Sequence, residues 1–126
     1  MESGTGIERV AYILLVEDDE QVRLLIEEIL VMSGHCVAAA ETVAAGCALL
    51  DAGPPYDLTI TDGRLPDGNG LMIANCATKH GIKVIIISGF LSEYPAHQLA
   101  PYVTLAKPFR VSQLTTAIAH VLSTNG

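Results

Sequence analysis

Ala11-Tyr12-Ile13-Leu14-Leu15-Val16 is a continuous apolar run that stops abruptly at Glu17-Asp18-Asp19-Glu20. A strand apolar on both faces needs cover on both faces, which places it in the middle of a parallel sheet flanked by helices. From Val22 the apolar positions Val22, Leu25, Ile26, Ile29 and Met32 follow helical spacing. Asp19 or Glu20 stands where a helix is capped, and Gly34 where it ends. The chain therefore begins as strand, acidic turn, helix.

The same unit recurs. His35 to Ala40 reads as a weaker strand, and Glu41 to about Leu50 as an Ala-rich helix stopped by Gly53-Pro54-Pro55. Asp57 to Thr61 is a third strand, ending at Asp62 and a segment dense in Gly, Pro and Asn. Leu71, Ile73, Ala74 and Ala77 then mark a helix that ends near Gly81. Ile82 to Ser88 is a β-branched fourth strand. Pro95 interrupts the next segment, which is expected to hold at most a short helix over about Glu93 to Leu99. Tyr102 to Ala106 makes a fifth strand, and Leu114, Ile118, Val121 and Leu122 line a terminal amphipathic helix. Short connections of this kind impose right-handed crossovers and a doubly wound sheet with helices on both faces. Residues 1–9 read as a flexible leader and 10–124 as a single domain; with 126 residues there is no room for a second.

Composition narrows the partners. Half of the residues are apolar, and the net charge is −7, with the seven cations scattered. A general grip on nucleic acid phosphates and docking on an anionic membrane are both disfavoured. The apolar runs are too short to span a bilayer, and no signal peptide is visible, so a cytoplasmic protein is expected. Cys36, Cys47 and Cys76 show no zinc spacing and are expected as buried free thiols in a reducing compartment. His35, His80, His97 and His120 share no ligand spacing and read as bystanders. Asp57 and Asp67 read as strand-start and turn residues.

The polar residues that end the strands fall at one edge of this sheet: Glu17 and Asp18, Asp62, Ser88, and Lys107. In an open α/β sheet that carboxyl edge is where ligands bind. Carboxylates crowded there repel one another and call for a cation, and hard oxygen donors suit Mg²⁺. A metal beside a lysine and a hydroxyl is equipment for phosphoryl transfer. Asp62 is then the nucleophile, Lys107 offsets charge on the transferring oxygens, and Ser88 donates to the phosphoryl group after arrival. On its own, Asp62 before Gly63 is also ordinary turn chemistry.

These residues carry a resemblance. Ile13-Leu14-Leu15-Val16-Glu17-Asp18-Asp19, Thr61-Asp62 with Pro66 and Gly70, Ile85-Ile86-Ile87-Ser88-Gly89 and Lys107-Pro108-Phe109 resemble the response-regulator receiver domain of two-component phosphorelay signalling. The likeness runs from Ile13 to about Leu122. It implies the flavodoxin-like strand order 2-1-3-4-5 and an Asp62 that accepts phosphate from a phosphohistidine on a sensor histidine kinase or phosphotransfer protein. It also implies a Mg²⁺ site of Glu17, Asp18, Asp62 and the Arg64 backbone carbonyl, and a cis-type turn at Pro108. An effector protein would read the phosphorylated state by its changed conformation. Such a module is no turnover enzyme; it catalyses only its own phosphorylation and dephosphorylation.

The sequence departs from the family in places. The aromatic usual three residues before the lysine is Thr104 here, and Tyr102 lies roughly 7 Å further along the same strand face. Arg64 and Phe90 flank the phosphate position, where the family varies and phosphoryl lifetime is tuned. The Gly89 to Pro101 segment is short for the family. Two other readings stand beside the phosphoacceptor: an interaction module that works without phosphorylation, suggested by Thr104, and a small Mg²⁺-dependent aspartyl-phosphate phosphatase. The second is disfavoured because Arg64 stands where an acid/base carboxylate is wanted. A flavin carrier is disfavoured by the acidic residues after strand one.

Overall fold

Along the first strand, Ile13 and Leu15 face one side of the sheet while Leu14 and Val16 face the other, and all four are buried. That alternation follows from the two-residue repeat of a strand and obliges the fold to build a core on each face. The computed structural model describes residues 10–124, so the leader expected over 1–9 lies outside the described residues.

The elements run β1 (Tyr12–Val16), α1 (Glu20–Met32), β2 (Cys36–Ala40), α2 (Val43–Ala52), β3 (Leu58–Asp62), β4 (Arg64–Leu65), β5 (Gly68–Asn69), α3 (Gly70–Lys79) and β6 (Lys83–Ser88). A 3₁₀ turn (Leu91–Glu93), α4 (Ala96–Leu99), β7 (Val103–Ala106) and α5 (Val111–Ser123) complete the chain. The main sheet is wholly parallel in the order β2-β1-β3-β6-β7. With the short ladder β4–β5 set aside, this is the expected 2-1-3-4-5 order. One core packs Ile13, Leu15, Leu58, Ile60, Ile85 and Ile87 against Ile26 and Leu30 of α1 and Leu114 and Ile118 of α5. The other packs Leu14, Val16, Val84 and Ile86 against Val43 and Leu50 of α2 and Ile73, Ala74 and Ala77 of α3.

Local chemistry explains the helix ends. Asp19 caps α1 by accepting from the Val22 amide at 3.1 Å, as the acidic turn predicts. The second helix starts two residues later than expected. Thr42 caps it through Ala45 N, and the Asp67 carboxylate accepts from the amides of Val43 at 2.7 Å and Ala44 at 3.0 Å. Asp67 is thus more than a turn residue: it ties the β4–β5 ladder to the start of α2. The fourth helix shrinks to Ala96–Leu99, because Pro95 occupies its N-cap. The Lys107–Pro108 bond is cis, as expected, and so is Gly53–Pro54.

The cysteine expectation is corrected. Cys47 and Cys76 form a disulfide with a Cα–Cα distance of 5.9 Å, and Cys36 is exposed. Packing of α2 beside α3 on one sheet face brings together residues 29 apart in sequence. Cys36 opens β2, an edge strand of the sheet among the described residues. The inference of a reducing compartment from free thiols therefore loses its support. No described helix is long and apolar enough to cross a membrane.

The Thr59 side chain is fully buried, and among the described residues its hydroxyl is the buried side-chain polar group with no hydrogen-bond partner. Valine has nearly the same shape without the unsatisfied oxygen, so Thr59→Val should stabilise the fold by roughly 1 kcal/mol and raise the thermal midpoint by about 4 °C. A calorimetric scan of both proteins checks this. His35 Nδ1 accepts from the Ala11 amide at 3.1 Å, which requires that nitrogen unprotonated. Burial pushes the imidazole below its ordinary value of 6.5, only partly opposed by the Asp57 carboxylate. The unfolded chain then binds the proton first, so this contribution is present above about pH 6.5 and lost as pH falls towards the folded value. His35→Asn should flatten the decline in unfolding midpoint between about pH 7 and about pH 5.5; a slope identical to wild type would refute the assignment.

Candidate functional site

Glu17, Asp62, Ser88 and Lys107 each end or immediately follow a parallel strand, Asp18 comes next after Glu17, and the strand register sets the ends side by side. Val16 pairs with Thr61, Asp62 with Ile87, and Ser88 with Ala106. Glu17 is fixed by its own amide, which donates to Ala40 O at 2.9 Å. Lys107 is fixed likewise, its amide donating to Ser88 O at 3.0 Å.

The side chains converge. Lys107 Nζ donates to Glu17 Oε1 at 3.0 Å and stands 3.1 Å from Asp62 Oδ1. Asp62 Oδ1 also accepts from the Gly63 amide at 2.9 Å, and Glu17 Oε2 accepts from the Asp19 amide at 3.1 Å. Asp18 is exposed at the rim. One carboxylate oxygen from each of Glu17, Asp18 and Asp62 lies within 4.8 Å of the others. The Ser88 hydroxyl is buried and accepts from the Phe90 amide at 2.9 Å.

The charge balance is incomplete. Burial pushes the Glu17 carboxyl above its ordinary value, the Asp19 amide pulls it back, the Asp62 carboxylate raises it further, and Lys107 only partly offsets this. Burial also works against the Lys107 ammonium, but pairing with Glu17 and Asp62 prevails and holds its pKa above the ordinary value. Both partners of one ion pair thus move upward. The 3.0 Å contact shows the pair formed, and burial is the main cause of the rise at Glu17. One ammonium pairs with two of the three clustered carboxylates, so the donor set fits a small hard cation.

Two glycines make the approach possible. A Cβ at Gly63 would lie 2.6 Å from both Cβ and Oγ of Ser88, and one at Gly70 would lie 2.6 Å from the Asp62 carbonyl oxygen. Arg64 lies in β4, its guanidinium 3.5 Å from the Phe90 ring centroid and bonded to both carboxylate oxygens of Glu93 at 2.6 and 2.8 Å. Sequence reasoning singled out Arg64 and Phe90 but missed Glu93 and Tyr94. The Tyr94 hydroxyl donates to the Gly63 carbonyl. No local pattern marks either residue, since both sit in an irregular turn whose placement depends on the whole sheet edge. Thr104 lies half-buried in β7 opposite Ile86, and Tyr102 precedes the strand and packs against the α2–α3 core.

The family model for the response regulator receiver domain matches residues 13–119. The chain belongs to the response-regulator receiver family. Its receiver domain is 32% identical over 128 residues to the sensor kinase CckA of Brucella abortus, an alignment covering 97% of this chain and 14% of that protein. It is 27% identical to the photosynthetic apparatus regulatory protein RegA of Cereibacter sphaeroides, over 84% of this chain and 60% of that one. The chain therefore spans only part of each of these relatives. A response regulator receiver protein from Sinorhizobium medicae superposes with a TM-score of 0.81 at 27% identity, covering 92% and 97% of the two chains. The response regulator TrrA from Thermotoga maritima, solved with Mg²⁺ and BeF, superposes with a TM-score of 0.80 at 24% identity over 88% and 98%. This receiver domain thus has the flavodoxin-like fold of its family and is a module of two-component signalling, in which receivers pair with histidine kinases.

Proposed function

We propose that Asp62 is the phosphoacceptor, taking a phosphoryl group from a phosphohistidine on a sensor histidine kinase or phosphotransfer protein. The observation that carries this reading is the convergence of the Glu17, Asp18 and Asp62 oxygens within 4.8 Å beside one shared ammonium. Glu17, Asp18, Asp62 and the backbone carbonyl of Arg64 would hold Mg²⁺. Bound there, the ion supplies charge neutralisation for oxygens of the transferring group. An Asp62 oxygen forms the new bond to phosphorus as the phosphorus–nitrogen bond of the donor breaks, and the imidazole leaves with the bonding pair.

Lys107 is already 3.1 Å from Asp62 Oδ1, placed to pair with a phosphoryl oxygen. Ser88 exchanges the Phe90 amide for the phosphoryl group as hydrogen-bond partner. The chain acts on itself alone, without turnover of a small substrate. It works in the cytoplasm, and an effector protein reads its state. A second reading, a partner-binding module indifferent to phosphorylation, draws on Thr104 in place of the usual aromatic.

The test is incubation with acetyl phosphate and Mg²⁺ followed by intact mass and borohydride reduction, which converts an aspartyl phosphate to homoserine. Gain of one phosphoryl group, lost on chelation and mapped to residue 62, is the expected result. A modified residue elsewhere, or none, overturns the reading; an adduct that leaves the backbone amides beyond the pocket unmoved favours the second.

A further inference from the structure

The segment after β6 is held to the Asp62 site by a small set of polar contacts. Neither the 3₁₀ turn Leu91–Glu93 nor α4 contributes a buried residue to the core. Segments with so little burial sit at the low-stability end of a fold, where a few contacts decide their position. Leu91 and Leu99 rest half-buried on the α2–α3 core, and the polar side-chain contacts lead to the phosphoacceptor loop. Phe90 donates its amide to Ser88 Oγ at 2.9 Å, and its ring lies under the Arg64 guanidinium. Glu93 holds that guanidinium with both oxygens, and Tyr94 donates to the carbonyl of Gly63, the residue between Asp62 and Arg64.

This arrangement leaves Arg64 with a choice of partners. Both side chains of the Arg64–Glu93 pair are more than half exposed, so the pair is weak and exchangeable. A phosphoryl group on Asp62 would bring a concentrated negative charge and several acceptor oxygens two residues away. A planar guanidinium pairs with such a group through two parallel hydrogen bonds. Lys107 is already shared between Glu17 and Asp62, so the added charge favours any further cation within reach.

Building on the assignment of Asp62 as phosphoacceptor, we propose that Arg64 is a switch residue of this domain. Its guanidinium clasps Glu93 before phosphorylation and turns to the phosphoryl oxygens afterwards, and that exchange releases the segment from Phe90 to Leu99. Ser88 acts in concert, because the hydroxyl that turns to the phosphoryl group lets go of the Phe90 amide. The clasp supplies the link between site and surface that an aromatic at position 104 would otherwise provide. Tyr94 is the positioning residue that keeps the segment registered on Gly63 while the clasp is closed.

The test uses the full ¹⁵N-labelled chain, with amide and arginine side-chain spectra recorded with and without Mg²⁺ and beryllofluoride, a phosphoryl mimic. In wild type the amides from Phe90 to Leu99 and the Arg64 guanidinium resonances should shift together on addition. Glu93→Gln, which removes the charge while keeping the shape, should displace the same amides in the same direction before any addition. The variant should bind beryllofluoride roughly two- to fivefold more tightly, since the competing carboxylate is gone. Glu93→Gln amides that stay at wild-type positions overturn the clasp, and so does a wild-type segment that stays still while Asp62 carries the mimic. Intact mass after acetyl phosphate treatment separates the two claims. An adduct with an unmoved segment overturns the clasp alone, and no adduct overturns the assignment of Asp62 and with it the clasp.

Discussion

Asp62→Asn is expected to take up no phosphoryl group from acetyl phosphate and Mg²⁺ at any incubation time that fully modifies the wild type. The amide has the same size as the carboxylate but is no nucleophile, so the loss is of chemistry rather than of folding. Lys107 keeps Glu17 as its partner in the variant. Glu17 meanwhile loses a neighbour that pushes its carboxyl upward. In metal-free buffer the variant should therefore be as stable as wild type or more so, by on the order of 1 kcal/mol. Mg²⁺ should reverse the order. A ligand stabilises the state that binds it, and the variant has one carboxylate fewer with which to bind. Intact mass and paired thermal scans with and without Mg²⁺ check both halves. A phosphorylated Asn variant would sink the assignment.

Lys107→Met is expected to lose phosphorylation and stability together. Glu17 has 2% side-chain exposure, and the Lys107 ammonium 3.0 Å away is its ion-pair partner. Methionine fills the volume of the aliphatic stem but leaves a buried carboxylate unpaired. Removal of one partner from a fully buried pair costs about 3–5 kcal/mol; with Lys107 a quarter exposed, roughly 2–3 kcal/mol is expected at neutral pH. The pH dependence gives a second readout. Loss of the lysine pushes the Glu17 carboxyl further up, so the folded variant holds its proton to higher pH than the unfolded chain does. The penalty is absent below the ordinary value of 4.5 and grows as pH rises through the folded value. Denaturant titrations at about pH 5 and about pH 8 should show the variant closer to wild type at the lower pH. Phosphorylation by acetyl phosphate should slow by roughly a hundredfold or more, the scale on which loss of one electrostatic stabiliser acts. Equal penalties at both pH values would show that Glu17 is not the residue left behind.

Much of the fold was legible because the code is local. Ala11 to Val16 is apolar on both faces and must lie between two layers of helices, whatever follows it. Leu114, Ile118 and Val121 repeat at helical spacing, and all three are buried on α5. Where the reading failed, a distant element intervened. The start of α2 is set partly by Asp67, 24 residues away. Cys47 meets Cys76 because two helices share a sheet face, and Cys36 is exposed because β2 is an edge; neither fact is written in cysteine spacing.

The division is the same at the site. Glu17, Asp18, Asp62, Ser88 and Lys107 were readable as strand-end residues from the chain alone, because alternation of strands and helices leaves a parallel sheet as the way to bury those runs. In such a sheet the carboxyl ends lie together. The surroundings of Asp62 come from packing between distant segments. The Arg64–Glu93 pair, the Phe90 ring beneath it and the Tyr94 hydroxyl on Gly63 join β4 to a turn about 30 residues further on. That turn has no repeating pattern of its own and takes its place from the packing beneath it.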